Sequence, residues 1–254
     1  MERPEPGQSE TLEPGLRRLL APNPGPMTHW GTNSFIVGEG RIAIIDPGPD
    51  RPDHLDALLK ATRGETITHI LVTHAHLDHS PLARRLGDMT GAPVYGFGPP
   101  ETGRSTTMAS LSAQGLAGGG EGVDIDFLPD ELLVDSDEIG EDRWAVRALH
   151  TPGHFAGHLA FEFGGTVISG DHVMDWSSSL VSPPDGDLGA FMRTSARLRD
   201  GSHRRLYPGH GNAIDDPADR LGWLISHRET RETQILNALD ITPRGVSVIA
   251  ARIY

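Results

Sequence analysis

With 254 residues the chain is expected to fold around one layered core, and Cys 0 excludes disulfides, thiolate nucleophiles and sulfur-held metals, leaving His and carboxylates as metal donors. A net charge of -13 disfavours RNA and other polyanions as partners, because phosphate backbones are gathered by excess Lys and Arg. No apolar run approaches the roughly 18 residues of a membrane span, and MERPEPGQSETLEPG is acidic and Pro-rich where an export signal is basic and then apolar, so a cytoplasmic protein without a membrane partner is expected.

In chain order, residues 1–11 read as a disordered or extended tail. Ser34 to Val37 and Ile42 to Ile45 read as strands around the turn Gly38-Glu39-Gly40, the second closed by Asp46-Pro47-Gly48. Asp53 to Arg63 has helical spacing through Leu55, Leu58 and Leu59, and Ile67 to Thr73 is a short apolar strand. Ser80-Pro81 before Leu82 and Leu86 predicts a helix with Ser80 as N-cap. Val94-Tyr95 begins a further strand. Beyond the Gly-rich stretch Gly115 to Gly122, strands are expected at Phe127 to Val134, Trp144 to Leu149, Leu159 to Phe163 and Thr166 to Ser169. Helices are expected at Leu188 to Arg199 and Asp219 to Leu239. Strand clusters interrupted by helices in two halves predict an α/β sandwich of two sheets rather than a run of parallel βαβ units.

The chemistry gathers where these elements end. Thr73-His74-Ala75-His76-Leu77-Asp78-His79 lies between a strand and a helix and must be an irregular loop, since neither a helix nor a strand aims all four polar residues the same way. Neutral imidazoles with a carboxylate suit a divalent metal of intermediate softness. His154 in Thr151-Pro152-Gly153-His154 and Asp171 after Gly170 each follow a predicted strand through a turn, and His210 in Tyr207-Pro208-Gly209-His210-Gly211 is flanked by glycines that let the backbone crowd a site. Each alone is a weak signal, but together the seven donors suffice for two metals sharing a carboxylate.

The motif His-x-His-x-Asp-His, followed in order by His154, Asp171 and His210, resembles the metallo-beta-lactamase-fold hydrolases from about Leu12 to Leu239. The resemblance implies a four-layer αββα sandwich over residues 12–239, with His74, His76 and His154 on one metal, Asp78, His79 and His210 on the other, and Asp171 bridging. Asp46 matches an acid of the family that orients the histidine loop from behind. Pro22-Asn23-Pro24-Gly25-Pro26-Met27, Gly31-Thr32-Asn33 and Ile225-Ser226-His227-Arg228-Glu229 are similar to the lactamase-beta-two-like branch, which includes endoribonucleases and thioesterases acting on acyl carrier proteins. Ser80-Pro81 departs from the Gly pair common after the last motif histidine. His76 stands where oxygen-reducing diiron relatives carry Glu.

The cofactor expected is two Zn2+, with Mn2+ or Fe2+ admitted by the same donors. Adjacent cations bring a bridging water toward a pKa of about 7, which gives a hydroxide nucleophile, and Asp78 is the catalytic residue that orients it or passes a proton to the leaving group. The function expected is hydrolysis of a small-molecule ester or thioester. The alternatives are endonucleolytic cleavage of single-stranded RNA and an iron-dependent oxidoreductase of the persulfide dioxygenase type. A homodimer is compatible with the sequence. Asn33, His158, His172, His227 and Arg228 are candidates for the substrate rim; for His158 a buried place at a strand start is the competing reading, and for His227 and Arg228 a solvated stripe on the helix.

After Leu239, Asp240-Ile241-Thr242-Pro243 reads as a stop and a fresh helix start, with Val246, Ile249, Ala250 and Ile253 at helical spacing behind it. Residues 240–254 are thus expected to begin a C-terminal helical extension. In the branch resembled, the corresponding helix opens a winged-helix-like module, so the natural chain is expected to continue beyond Tyr254.

Overall fold

The computed structural model describes residues 3–119, 122–239 and 245–253. Seven strands form the first sheet in chain order: β1 (Ser9–Glu13), β2 (Leu16–Leu20), β3 (Asn33–Glu39), β4 (Arg41–Ile45), β5 (Thr66–Leu71), β6 (Val94–Gly96) and β7 (Glu131–Leu132). The first four pair antiparallel, β1 with β2 and β3 with β4 through short turns and β2 with β3 across the longer connection 21–32. From β4 onward the pairing is parallel, with crossovers carrying α1 (Pro52–Ala61), α2 (Leu82–Thr90) and α3 (Thr106–Ala113). The second sheet holds β8 (Glu138–Glu141), β9 (Trp144–His150), β10 (Leu159–Phe163), β11 (Thr166–Gly170) and β12 (Arg205–Pro208) in the spatial order 12-11-10-9-8. Its one parallel pair, β11 with β12, is bridged by α4 (Leu188–Arg199); α5 (Pro217–Ala238) and α6 (Val246–Ile253) follow.

Alternation along the strands builds the layers. On β3 and β4, Phe35, Val37, Ala43 and Ile45 face inward, where they join Val146, Ala148, Leu159 and Phe161 of the other sheet in one dry core. The intervening Ile36, Ile42 and Ile44 face outward and are covered by Leu55 and Leu58 of α1 and by Leu82 and Leu86 of α2. On the far side Ala160 and Val167 pack under Leu198 of α4 and Leu221 and Leu224 of α5. The result is the expected αββα sandwich. Ligand-bearing loops leave β5, β9, β11 and β12 on one edge, so the two sheets aim them at one place.

Several local expectations are corrected. The segment from Ser9 is an edge strand rather than tail, held by the ladder Ser9↔Leu19 to Glu13↔Leu16. Of Phe127 to Val134 only Glu131–Leu132 is strand; the stretch before it is fixed by side chains, Asp130 Oδ2 accepting from Val94 N at 2.9 Å and Arg84 donating to Leu128 O at 3.0 Å. Ser80 does not cap α2, whose N-cap position is Pro81 without a side-chain bond. Its hydroxyl instead donates to Asp124 Oδ2 at 2.6 Å, tying the histidine loop to the segment beside it. The predicted stop and restart at 240–243 lies outside the described residues; α6 lies against α5.

Candidate metal centre

All seven sequence-predicted donors are buried and converge. Among the described residues, three groups offer donor atoms within 4.8 Å of one another: His74, His76 and His154; Asp78, His79 and His210; and His74, His79 and Asp171. Asp171 reaches both of the first two sets, with Oδ2 3.7 Å from His154 Nε2 and 3.3 Å from His210 Nε2.

Outer hydrogen bonds fix which nitrogen of each ring faces inward. His154 Nδ1 lies 2.7 Å from Leu180 O and His210 Nδ1 3.1 Å from Gly31 O; a carbonyl only accepts, so both rings carry a proton there and turn Nε2 to the centre. Asp46, buried and ending β4, accepts from Thr73 N at 2.7 Å, from Thr73 Oγ1 at 2.7 Å and from His79 Nδ1 at 2.9 Å. Because the Thr73 hydroxyl proton goes to Asp46, Thr73 Oγ1 accepts from His74 Nδ1 at 2.9 Å. One carboxylate thereby sets His79 directly and His74 through Thr73.

The inward arrangement fits a pair of cations. His74 Nε2 and His154 Nε2, both lone pairs, stand 2.9 and 3.2 Å from His76 Nδ1, and one proton cannot satisfy three nitrogens. His79 Nε2 and His210 Nε2 face each other at 3.3 Å. Asp78 Oδ1 and Asp171 Oδ1 are buried with no hydrogen-bond partner. Burial, reinforced by His154, pushes His76 down to about 3. At His210 burial opposes the charge, but Asp171 and Asp78 outweigh it and hold the pKa at about 10. Those carboxylates therefore demand positive charge at the second position, which a divalent cation would supply in place of the proton. Close packing makes small residues necessary here: a Cβ on Gly209 would come within 2.3 Å of Asp171 Oδ1 and 2.8 Å of His79 Cε1.

The rim expectations fare unevenly. Arg228 does line the cavity at the centre, its guanidinium donating to Ser179 O and lying 5.4 Å over the Phe191 ring. Asn33 is buried away from it, Nδ2 donating to Pro208 O at 3.0 Å and Gly211 O at 3.1 Å; it clips the loop of His210 to β3. His158 and His172 are also buried behind the centre, the first bonded to Asp171 N and the second to Ser195 Oγ at 3.1 Å. His227 stacks on Trp223 along α5, with ring centroids 5.0 Å apart, and does not line the cavity. Trp176 walls the cavity, whereas Trp30 reaches it only through His29, stacked 4.7 Å from Trp176.

Sequence reasoning missed the wall from Ser177 to Val181, including the Leu180 carbonyl that orients His154. The available signal was length: a long irregular connection beginning at a ligand, Asp171, and lasting to α4 is characteristic of a binding loop.

The family model described as Metallo-beta-lactamase superfamily matches residues 27–210. The "Beta-lactamase-like protein 2 homolog" of Drosophila melanogaster is 31% identical over 236 residues, covering 89% of this chain and 74% of that protein. The "Atrochrysone carboxyl ACP thioesterase" of Claviceps purpurea is 29% identical over 244 residues, covering 93% of this chain and 69% of that protein. Among solved structures, a metallo-beta-lactamase family protein from Thermus thermophilus superposes with a TM-score of 0.73 at 27% identity, covering 91% of this chain and 84% of that one.

Proposed function

We propose that this chain, which belongs to the metallo-beta-lactamase superfamily in its lactamase-beta-two-like branch, hydrolyses small acyl thioesters or esters with two zinc ions held by His74, His76 and His154, by Asp78, His79 and His210, and by Asp171 between them. The observation that carries the reading is the convergence of lone pairs and unpartnered carboxylate oxygens on one buried centre that opens into a cavity of about 300 Å³. When bound, such cations acidify a water and polarise a carbonyl oxygen.

The protein's own groups do the rest. Asp78 lines the cavity, and its carboxylate is the group that takes a proton from the attacking water and returns it to a leaving group. A thiolate leaves without that return, so the thioester makes the smaller demand on the site. Met27, Met174, Trp176, Leu180 and Val181 form an apolar wall suited to an acyl group. A relative named as an acyl carrier protein thioesterase, matched along 93% of this chain, supports the same bond type. Among the described residues, the cavity wall carries a single cation outside the donor cluster, Arg228, and the chain as a whole is acidic, which does not suit RNA.

The test is a substrate screen of the purified protein with and without chelator, covering acyl thioesters, lactones, phosphodiesters and single-stranded RNA, beside metal analysis. Thioester turnover lost to chelator and restored by zinc is expected. RNA cleavage without thioester turnover, or bound iron with sulfur oxidation, would replace this reading by one of its alternatives.

A further inference from the structure

His158 contributes no donor to the metal positions, has no exposure to solvent, and yet has both ring nitrogens committed. Its Nε2 lies 3.1 Å from the main-chain N–H of Asp171, so that nitrogen accepts. Its Nδ1 lies 2.7 Å from Thr151 Oγ1, and the Thr151 hydroxyl proton points to His158 O at 3.4 Å. Only the tautomer with a proton on Nδ1 satisfies both contacts, and the Thr151 oxygen is what receives that proton. The fit is tight: a Cβ on Gly170 would come within 2.6 Å of His158 Nε2, so glycine is what leaves room for the ring against this turn. The imidazole is fully buried and does not itself line the cavity.

Asp171 is the donor that reaches both sets, and its position depends on the main chain at Gly170 and Asp171, where the sheet ends and the chain turns with Gly170 at φ 47. We propose that Thr151 and His158 are positioning residues: the hydroxyl selects the imidazole tautomer, the imidazole fixes the Asp171 amide, and the fixed amide aims the carboxylate across both metal positions, so that the pair sets the affinity for the second cation. The inference rests on the dinuclear reading above. A ligand's outer hydrogen-bond partners commonly govern affinity in this way, but here the hold is on the ligand's backbone rather than on its side chain.

Packing and hydrogen bonding make opposite predictions for two variants of Thr151. Thr151→Val keeps the shape and loses the hydroxyl; Thr151→Ser keeps the hydroxyl and loses a methyl. Zinc stoichiometry by native mass spectrometry, with affinities from competition against a chromophoric chelator, is expected to show second-ion binding weakened about 10- to 100-fold in Thr151→Val and within about threefold of the parent in Thr151→Ser. Unchanged binding in the Val variant, or equal loss in both, overturns the proposal. If Thr151→Val proves unfolded by circular dichroism, the comparison passes to His158→Gln, whose amide oxygen can accept from Asp171 N, against His158→Leu: two ions in the first and one in the second supports the relay, and equal loss overturns it. The parent protein is the control, since fewer than two ions bound there overturns the dinuclear reading itself and the relay with it.

Discussion

Four of the seven donors, His74, His76, Asp78 and His79, come from one loop after β5, whereas His154, Asp171 and His210 come from three loops after β9, β11 and β12. The contiguous half is aimed economically. Its donors are covalent neighbours, so a single buried carboxylate, Asp46, positions Thr73 and His79 and, through Thr73, His74. The dispersed half has no common anchor, and each donor has its own: Leu180 O for His154, Gly31 O for His210 and His158 for the main chain of Asp171. Linked donors need one point of support and separate donors need one each, so damage in the two halves should look different.

Removing donors gives the largest effect and tests both halves at once. His76→Ala and His79→Ala are expected to lower hydrolysis by about a thousandfold or more, since bound cations supply several kcal/mol of transition-state stabilisation, with circular dichroism unchanged because neither side chain belongs to the three apolar clusters. Turnover retained in either variant removes that residue from the ligand set. Asp171→Ala is expected to lower bound metal from two ions toward one, because a shared carboxylate offsets repulsion between adjacent cations. Metal analysis that still finds two would make Asp171 a bystander.

The same contrast explains what was legible in the sequence. His74 to His79 announces itself because four donors lie within six residues of one loop, and the strands Ile42 to Ile45, Trp144 to Leu149 and Leu159 to Phe163 carry apolar runs or alternation that local reasoning detects. His154, Asp171 and His210 needed the whole pattern. The edge strands β1 and β12, and β2 beside β1, went unread because SETLE is polar and RLYP is too short for a period, while LRRLL has no local mark distinguishing strand from helix; pairing with neighbouring strands settles what these short segments do not specify alone. His158 and His172 stand in the sequence as rim candidates with burial as the competing reading, because sequence cannot tell a ring facing a cavity from one buried behind it; the structure selects burial.

A buried histidine behind the contiguous half gives the next largest effect. His54 on α1 is shielded from solvent, with Nε2 2.9 Å from Ser34 Oγ and its ring against Gly48, whose N–H donates to His79 O at 2.9 Å. Burial lowers its pKa to about 4. Since the folded-state value lies below the ordinary one, the unfolded chain binds more protons between about pH 4 and 6.5, and folding stability rises with pH across that window. The contribution is complete above about pH 6.5 and falls away toward pH 4, by roughly 3 kcal/mol at about 1.4 kcal/mol per pKa unit. Urea unfolding of the metal-free protein at pH 7 and pH 4.5 should show this loss, and His54→Gln should reduce the difference. A variant with the parent's pH dependence would mean that His54 titrates normally.

The smallest effects come from one chemical change made in two places. Gly209→Ala sets a methyl 2.3 Å from Asp171 Oδ1 and 2.8 Å from His79 Cε1, so it presses on a donor from each half simultaneously. Neither can retreat without leaving the centre, and metal affinity should fall by about tenfold or more, as for other losses of ligand orientation. Gly222 lies within α5, where an added Cβ meets nothing within 4 Å. There the methyl only restricts the unfolded chain and improves helix propensity, so Gly222→Ala should raise stability by about 0.5–1 kcal/mol. The helix nevertheless touches the dispersed half, because Arg220 donates to Met174 O at 2.7 Å and Ser177 O at 2.6 Å in the wall that carries Leu180. Equilibrium unfolding together with zinc affinity separates the two outcomes. A stabilised Gly222→Ala protein with unchanged affinity means that the dispersed half is set by its own anchors; altered affinity would make the rigidity of α5 a further support for it, and the count of independent anchors would have to rise.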